Sequence, residues 1–398
     1  MPRPSSTLTF RFASFRRSDS AIFSNNWQQH HFFCAVLSIL LVIAPAVFAA
    51  EVDSFTDQHL ITTDSLKRLN QEVNSRLLAA IDKANTQARQ LRNRRHPKTK
   101  RPIFPNKKGL TYCNRQQLVN AIDSALGGPI IGELEQWAEE SHEIDKITVP
   151  YEDSIYQTFL LGETPSISGS KRLASVLRLN QLNVGTDKLG HFFTEGGTYY
   201  KRLERGDNLN KVLKFGEQTE IVIFGSVTTG VYSYADLAAN FNGLRFWRAL
   251  FSEHPDPLNN RVTTPYVRCK SQQWQLERTF DWQNYVDVAW DESRNCNQFR
   301  NLTLLGKIEQ HLIQLPQQHH CALNEADIAD LKTKYGQHFS HIVNTNGLSV
   351  LPEEKQAYTL LDNYIQSPKG QRKPQWIIRV LSRFRDKVKD LLIGNSKH

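Results

Sequence analysis

Asp187, His191 and Glu195 stand four residues apart in the run Asp187-Lys188-Leu189-Gly190-His191-Phe192-Phe193-Thr194-Glu195. On an α-helix this spacing predicts one face that sets an imidazole between two carboxylates. A carboxylate on one ring nitrogen fixes the tautomer and raises the basicity of the other, as a general base or a metal-bound histidine requires. A second cluster follows in Tyr232-Ser233-Tyr234-Ala235-Asp236-Leu237-Ala238-Ala239-Asn240-Phe241-Asn242-Gly243, where Asp236 and Asn240 again fall four apart. Ser233 is placed to cap that helix, and Gly243, one turn further on, would let another helix approach closely. These polar residues sit among Val222, Ile223, Phe224, Leu237, Ala238 and Ala239, so burial obliges them to find partners. The first cluster is the natural partner, which predicts His191 within hydrogen-bonding reach of Asp187, Asp236 or Asn240.

Four chemistries are open to such a set. A fully satisfied network clamps helix pairs and needs no substrate. Asp187, His191, Glu195 and Asp236 could instead activate water as catalytic residues, or hold a divalent metal, although no HExxH motif is present. A pocket for a lipid or wall-precursor headgroup would use Lys188 and Arg245 as anion contacts, with Ser233 and Asn240 lining it. Finally, Glu195 followed by Ala238-Ala239-Asn240-Phe241-Asn242-Gly243 is similar in outline to lysozyme-like lytic transglycosylases, without their Ser after Glu.

The ordered pair D-K-x-x-H-F and S-x-x-D-x-x-x-N-x-x-G resembles two families. One is the VanZ-like membrane family, named for teicoplanin resistance. The other comprises small predicted periplasmic lipoproteins typified by YfiM. The matching positions are Asp187, Lys188, His191 and Phe192, then Ser233, Asp236, Asn240 and Gly243, within residues 184–250. The resemblance implies an envelope-associated helical unit and supplies no reaction. The chain departs from it in lacking several lipid-spanning segments and a lipobox cysteine, and in adding long flanks.

The elements that must position these residues are mostly helical. Leu66, Leu69, Val73, Leu77, Ile81 and Ala84 recur at helical spacing, which predicts a helix within 53–91. Further helices are expected at 116–126, 130–138, 173–179, 189–203, 301–315, 326–335 and 353–366. The apolar run 220–250 is expected to be a buried helix pair, because Asp236 and Arg245 argue against a lipid span. The fold class expected is mainly α, a helical bundle core with a less regular, aromatic-rich segment at 262–299 and long helical flanks.

Residues 1–49 are expected to be a signal peptide. Arg3, Arg11, Arg16 and Arg17 precede the apolar run Phe32–Phe48, and Val47-Phe48-Ala49 suits signal peptidase. The same run, kept uncleaved, would be an anchor. Then come a helical segment at 50–91, a basic Pro-containing linker at 92–108, the core at 109–315, a helical extension at 316–368 and a basic amphipathic tail at 369–398. The protein is expected in the periplasm or secreted, and membrane-associated through the tail. In an oxidising compartment Cys113, Cys269, Cys296 and Cys321 make two disulfides. Three pairings are open; Cys269–Cys296 with Cys113–Cys321 is the one favoured, because it closes the shorter loop and ties the ends of the core.

The formal charge of +9 is segregated. Arg89 to Lys108 carries nine basic residues and no acid, and Lys369 to His398 carries nine against two. With the leader removed, the remaining body is acidic. Nucleic-acid binding is not expected, since its basic side chains would spread over the folded face. An anionic membrane surface or an acidic wall component is the expected partner. In the tail, Ile377, Leu381, Phe384, Val388, Leu391 and Leu392 form an apolar stripe beside Arg379, Arg383, Lys387 and Lys389. Such a helix either docks on the core or lies on lipid.

Overall fold

The computed structural model describes residues 51–93, 99, 112–129, 131–315, 321–373 and 375–393. The expected leader and most of the expected basic linker lie outside them. The described chain is mainly α. Helix α1 (Leu66–Asn93) buries Leu69, Val73, Leu77, Ala80, Ile81 and Ala84 on one stripe, against α2 (Arg115–Leu126). Asn114 caps α2 by accepting from the Gln117 N–H. Residues 51–65, expected in the first helix, are instead extended and looped. Val52 and Asp64 bridge to Ala174 and Arg178, and Asp53 accepts the N–H groups of Phe55, Thr56 and Ile155.

After α3 (Glu133–Glu140) come β1 (Lys146–Ile147), β2 (Val176–Leu179) and β3 (Leu182–Gly185), one antiparallel sheet in that order. The helix expected at 173–179 is therefore a strand. Asn180 and Gln181 both take positive φ, 53° and 64°, and this two-residue turn closes a hairpin that a helix could not continue through. The hairpin delivers the chain into α4 (Asp187–Gly190), a π-turn at His191–Glu195, and α5 (Gly196–Glu204).

The buried helix pair expected at 220–250 is corrected: only 234–249 is a buried helix, and Val222 and Ile223 in the first half are exposed on a short π-turn. Helix α6 (Leu209–Thr219) runs into a second π-turn, Glu220–Phe224. A loop and the short strand β4 (Val231–Tyr232) then precede α7 (Tyr234–Ala249), which is buried along most of its length. Helices α5 and α7 cross at two glycines. A Cβ on Gly243 would lie 1.9 Å from the Phe192 carbonyl oxygen, and one on Gly196 would lie 2.5 Å from the Gly243 Cα, so only hydrogen fits at the crossing.

Residues 262–299 hold a hairpin, β5 (Val267–Lys270) with β6 (Gln273–Leu276), then short 3-10 turns and β7 (Gln298–Phe299). Their aromatic side chains pack round Phe192, whose ring lies 4.9 Å from Trp282 and 5.1 Å from Tyr285. Each such pair adds about 1 kcal/mol beyond its buried area. The four cysteines among the described residues are all paired, but as Cys113–Cys269 and Cys296–Cys321. The pairing favoured from loop length is corrected: β6 packs along α1, which puts the hairpin cysteine beside the residue that leads into α2.

Helices α8 (Leu302–Gln314) and α9 (Glu325–Tyr335), strand β8 (Ser349–Val350), α10 (Ala357–Gln366) and α11 (Gln375–Ile393) complete the chain. The tail helix α11 packs on α10, with Arg385 2.6 Å from Asp362. Among the described residues no helix is long and apolar enough to cross a membrane.

Candidate functional site

The β3 hairpin and α7 bring the two sequence clusters together. Lys188 is the centre, 1% exposed, with its ammonium 2.7 Å from Asp187 Oδ2, 2.6 Å from Asp236 Oδ1 and 2.6 Å from Glu292 Oε1. Burial alone would depress its pKa, but the three carboxylates raise it well above the usual lysine range. Ser233 caps α7, and its hydroxyl lies 3.0 Å from Asp236 and 2.8 Å from Glu292. Glu220, at the head of the second π-turn, accepts the Ser233 N–H at 3.0 Å.

His191 Nε2 lies 3.1 Å from Asp236 Oδ2, and Nδ1 lies 3.1 Å from the Asn240 amide, as the spacing predicted. Burial opposes its charge, yet Asp236, by charge and hydrogen bond, and Asp187 raise its pKa to about 10. Turned with its nitrogen toward the ring, the Asn240 amide finds more partners than with its oxygen there. With its oxygen toward the ring it accepts from Nδ1–H of an imidazolium. With its nitrogen there, it donates to Nδ1 of a neutral ring and to the carbonyls of His191 and Asp236, each at 3.2 Å. Asp236 is itself held well below the ordinary carboxylate range: burial works against its ionisation, and His191 and Lys188 outweigh it.

Carboxyls outnumber cations here. Burial and then Asp187 push Glu135 up to about 8, and burial and then Asp236 push Glu220 up to about 8. Burial, then Glu292 and Asp236, raise Glu51 well above its usual value. Asp187 settles at about 6, raised by burial and restrained by Lys188. Asp187, His191 and Asp236 offer ligand atoms within 4.8 Å of one another, a donor set of the right type for a divalent metal. The Lys188 ammonium already neutralises two of the same carboxylates, so a metal would have to displace it.

Two expected anion contacts are committed elsewhere. Lys188 is enclosed as described, and Arg245 forks onto Asp256 at 2.9 and 3.0 Å. Glu195 departs from the expected shared face. The π-turn carries more residues per turn than an α-helix, which rotates Glu195 off the Asp187–His191 stripe. It lines instead a cleft of about 550 Å3 with Asp123, Ser124, Gly127, Gly128, Pro129, Glu133, Thr194, Thr198 and Lys201. There it is half-buried, and burial pushes its pKa up while His191 restrains it. Lys201, the cation of the lining, is 2.8 Å from Asp123.

Glu51, Glu135, Glu220 and Glu292 were not singled out from sequence. Glu220 carried a signal, as the charged residue that opens a long apolar run. No family model, curated protein or solved structure matches this chain.

Proposed function

We propose that the chain is an exported cell-envelope protein that hydrolyses a glycan in the cleft beside Glu195. The observation that carries this reading is the placement of Glu195: it alone of the Asp187, His191, Glu195 series lines an open cleft, with the pKa of its carboxyl pushed above the usual range by burial. A raised carboxyl pKa is the direction a general acid requires. Glu195 would give its proton to the glycosidic oxygen as the C–O bond breaks. Asp123, a second lining carboxylate, would take a proton from the attacking water. The hydroxyls of Ser124, Thr194 and Thr198 suit a sugar.

An anionic headgroup fits less well. The lining carries three carboxyl side chains, and Lys201 is already paired with Asp123. The Lys188 centre acts in this reading as a positioning device that fixes α4, the π-turn and α7 beneath the cleft. His191, with both ring nitrogens engaged, is a positioning residue rather than a base. Two disulfides accord with an oxidising compartment outside the cytoplasm.

The test is release of reducing ends from peptidoglycan and from chito-oligosaccharides by the purified protein. Glu195→Gln is expected to lower turnover about 100-fold or more, with an unchanged melting temperature. Full activity in that variant, or no turnover by the native chain on either glycan, overturns the proposal.

A further inference from the structure

One side of the molecule gathers exposed apolar side chains that belong to neither the core nor the cleft. Leu160 and Leu161 form a turn and are 60% and 63% exposed; Val222 and Ile223, on the second π-turn, are 46% and 36% exposed. The two segments adjoin. Ser166, just past the first, donates its N–H to the Thr228 carbonyl at 3.0 Å, and the Thr228 hydroxyl donates to the Ile223 carbonyl at 3.1 Å. Two leucines held outward on a tight turn expose area that a water-facing loop normally gives to polar residues.

The tail helix meets the same region. Ile221 and Val227, which bracket the exposed pair, pack in one cluster with Tyr358 and Leu360 of α10. Lys389 of α11 lies 5.6 Å over the Tyr358 ring, and Arg385 pairs with Asp362. Helix α11 is thus seated through α10 beside the Val222–Ile223 loop, and Arg379, Arg383 and Lys389 on it are exposed. On the other flank, Lys171 and Arg172 are exposed and line a second cavity of about 360 Å3 with Thr148 and Tyr151. Tyr151 donates to the Phe159 carbonyl at 3.0 Å, next to the leucine turn. Glu163 at that turn is paired with Lys307. Exposed Glu152 and Asp153 lie nearby in sequence, so the Lys171–Arg172 rim adds little net charge and the tail supplies most of it.

We infer that this face, made of the 160–161 turn, the 222–223 loop and the basic helix α11, docks on an anionic phospholipid surface. Small apolar loops enter the headgroup region while flanking cations meet the lipid phosphates, and the two contributions add to a reversible attachment. The docked position of α11 assigns the apolar role to the loops and the electrostatic role to the helix. The inference stands apart from the cleft, and neither depends on the other.

The experiment is co-sedimentation of the full exported chain with phosphatidylcholine vesicles, with and without phosphatidylglycerol. Binding is expected only with the anionic lipid, and salt should release it. Leu160→Asp with Leu161→Asp should weaken binding about tenfold or more. Arg379→Gln with Arg383→Gln should weaken it about 25-fold, at about fivefold for each charge lost near the surface. All four positions are exposed, so thermal melts should be unchanged, and Val222→Asp provides an independent apolar variant. Glu195→Gln should bind vesicles as the native chain does. Equal binding to neutral vesicles overturns the inference, as does binding that survives the leucine pair. Loss of binding in the arginine variant alone, with equal binding to soluble polyphosphate, would assign the helix to a soluble polyanion and also overturn it.

Discussion

Lys188 and Glu195 lie two turns apart on one continuous helical segment, yet they occupy opposite situations. Around Lys188, three carboxylates, a serine hydroxyl and an imidazole close on one another, and the ammonium is 1% exposed. Around Glu195 the chain opens into a cleft of about 550 Å3. Both carry groups displaced from their ordinary pKa, and displacement alone does not separate structure from chemistry. Access and free valence do. The Lys188 ammonium is engaged by three carboxylates, whereas Glu195 borders space that a substrate can enter. On the proposed reading, the more perturbed of the two sites is the scaffold.

The largest expected effect comes from the closed side. Lys188→Met leaves Asp187, Asp236 and Glu292 buried without their cation, and breaking a buried pair in this way costs about 3–5 kcal/mol. Urea unfolding at neutral pH measures it. A loss below about 1 kcal/mol would mean that the carboxylates simply take up protons, and the contrast with Glu195 would collapse.

A smaller, pH-dependent effect is expected at Glu135, whose Oε2 a Cβ on Gly190 would meet at 2.0 Å. Its folded pKa of about 8 lies above the ordinary 4.5. The unfolded chain thus releases its proton above pH 4.5 while the folded chain keeps it, and stability falls as pH rises from 4.5 to 8. Glu135→Gln removes that slope. Relative to the native chain it should gain stability progressively across this window and level off above it. The gain at the upper end is on the order of 2 kcal/mol, below the roughly 5 kcal/mol that the displacement from 4.5 to about 8 alone implies, because the amide must be buried as well. Glu220 contributes its own slope to both proteins. A difference that is flat with pH would place an ionised Glu135 in the folded state.

The sequence made the Asp187–His191 and Asp236–Asn240 stripes legible because both lie on helical turns, where spacing by four reports a shared face. It left Glu292 hidden. That residue sits in the turn that follows the Val288–Trp290 3-10 turn, where no period links it to Lys188, and its bonds with Ser233 and Asn297 return it to the centre. Glu195 was found by the same spacing for a reason that does not hold, since the π-turn moves it to the cleft; sequence spacing cannot register an extra residue in a turn. The segment 173–179 has the apolar content of a helix or a strand, and the turn at Asn180-Gln181 decides between them. The cysteine pairing depended on long-range packing, for which loop length is no guide.

The smallest effect would sharpen the contrast most. Thr194 lines the cleft next to Glu195, and its Oγ1 is buried without a hydrogen-bond partner among the described residues. Such a hydroxyl costs about 1 kcal/mol in the free protein, and Thr194→Val, which keeps its shape, should recover about that much stability. In a scaffold the story would end there. In a site, the same hydroxyl is held unpaired for a ligand, so the variant should become more stable and bind or turn over glycan more weakly. The size expected is about fivefold to tenfold, the worth of one neutral hydrogen bond of roughly 1 kcal/mol. Paired measurement of the urea midpoint and of glycan turnover separates the two. A gain in stability with turnover unchanged would place Thr194 with the Lys188 centre, on the structural side of the comparison.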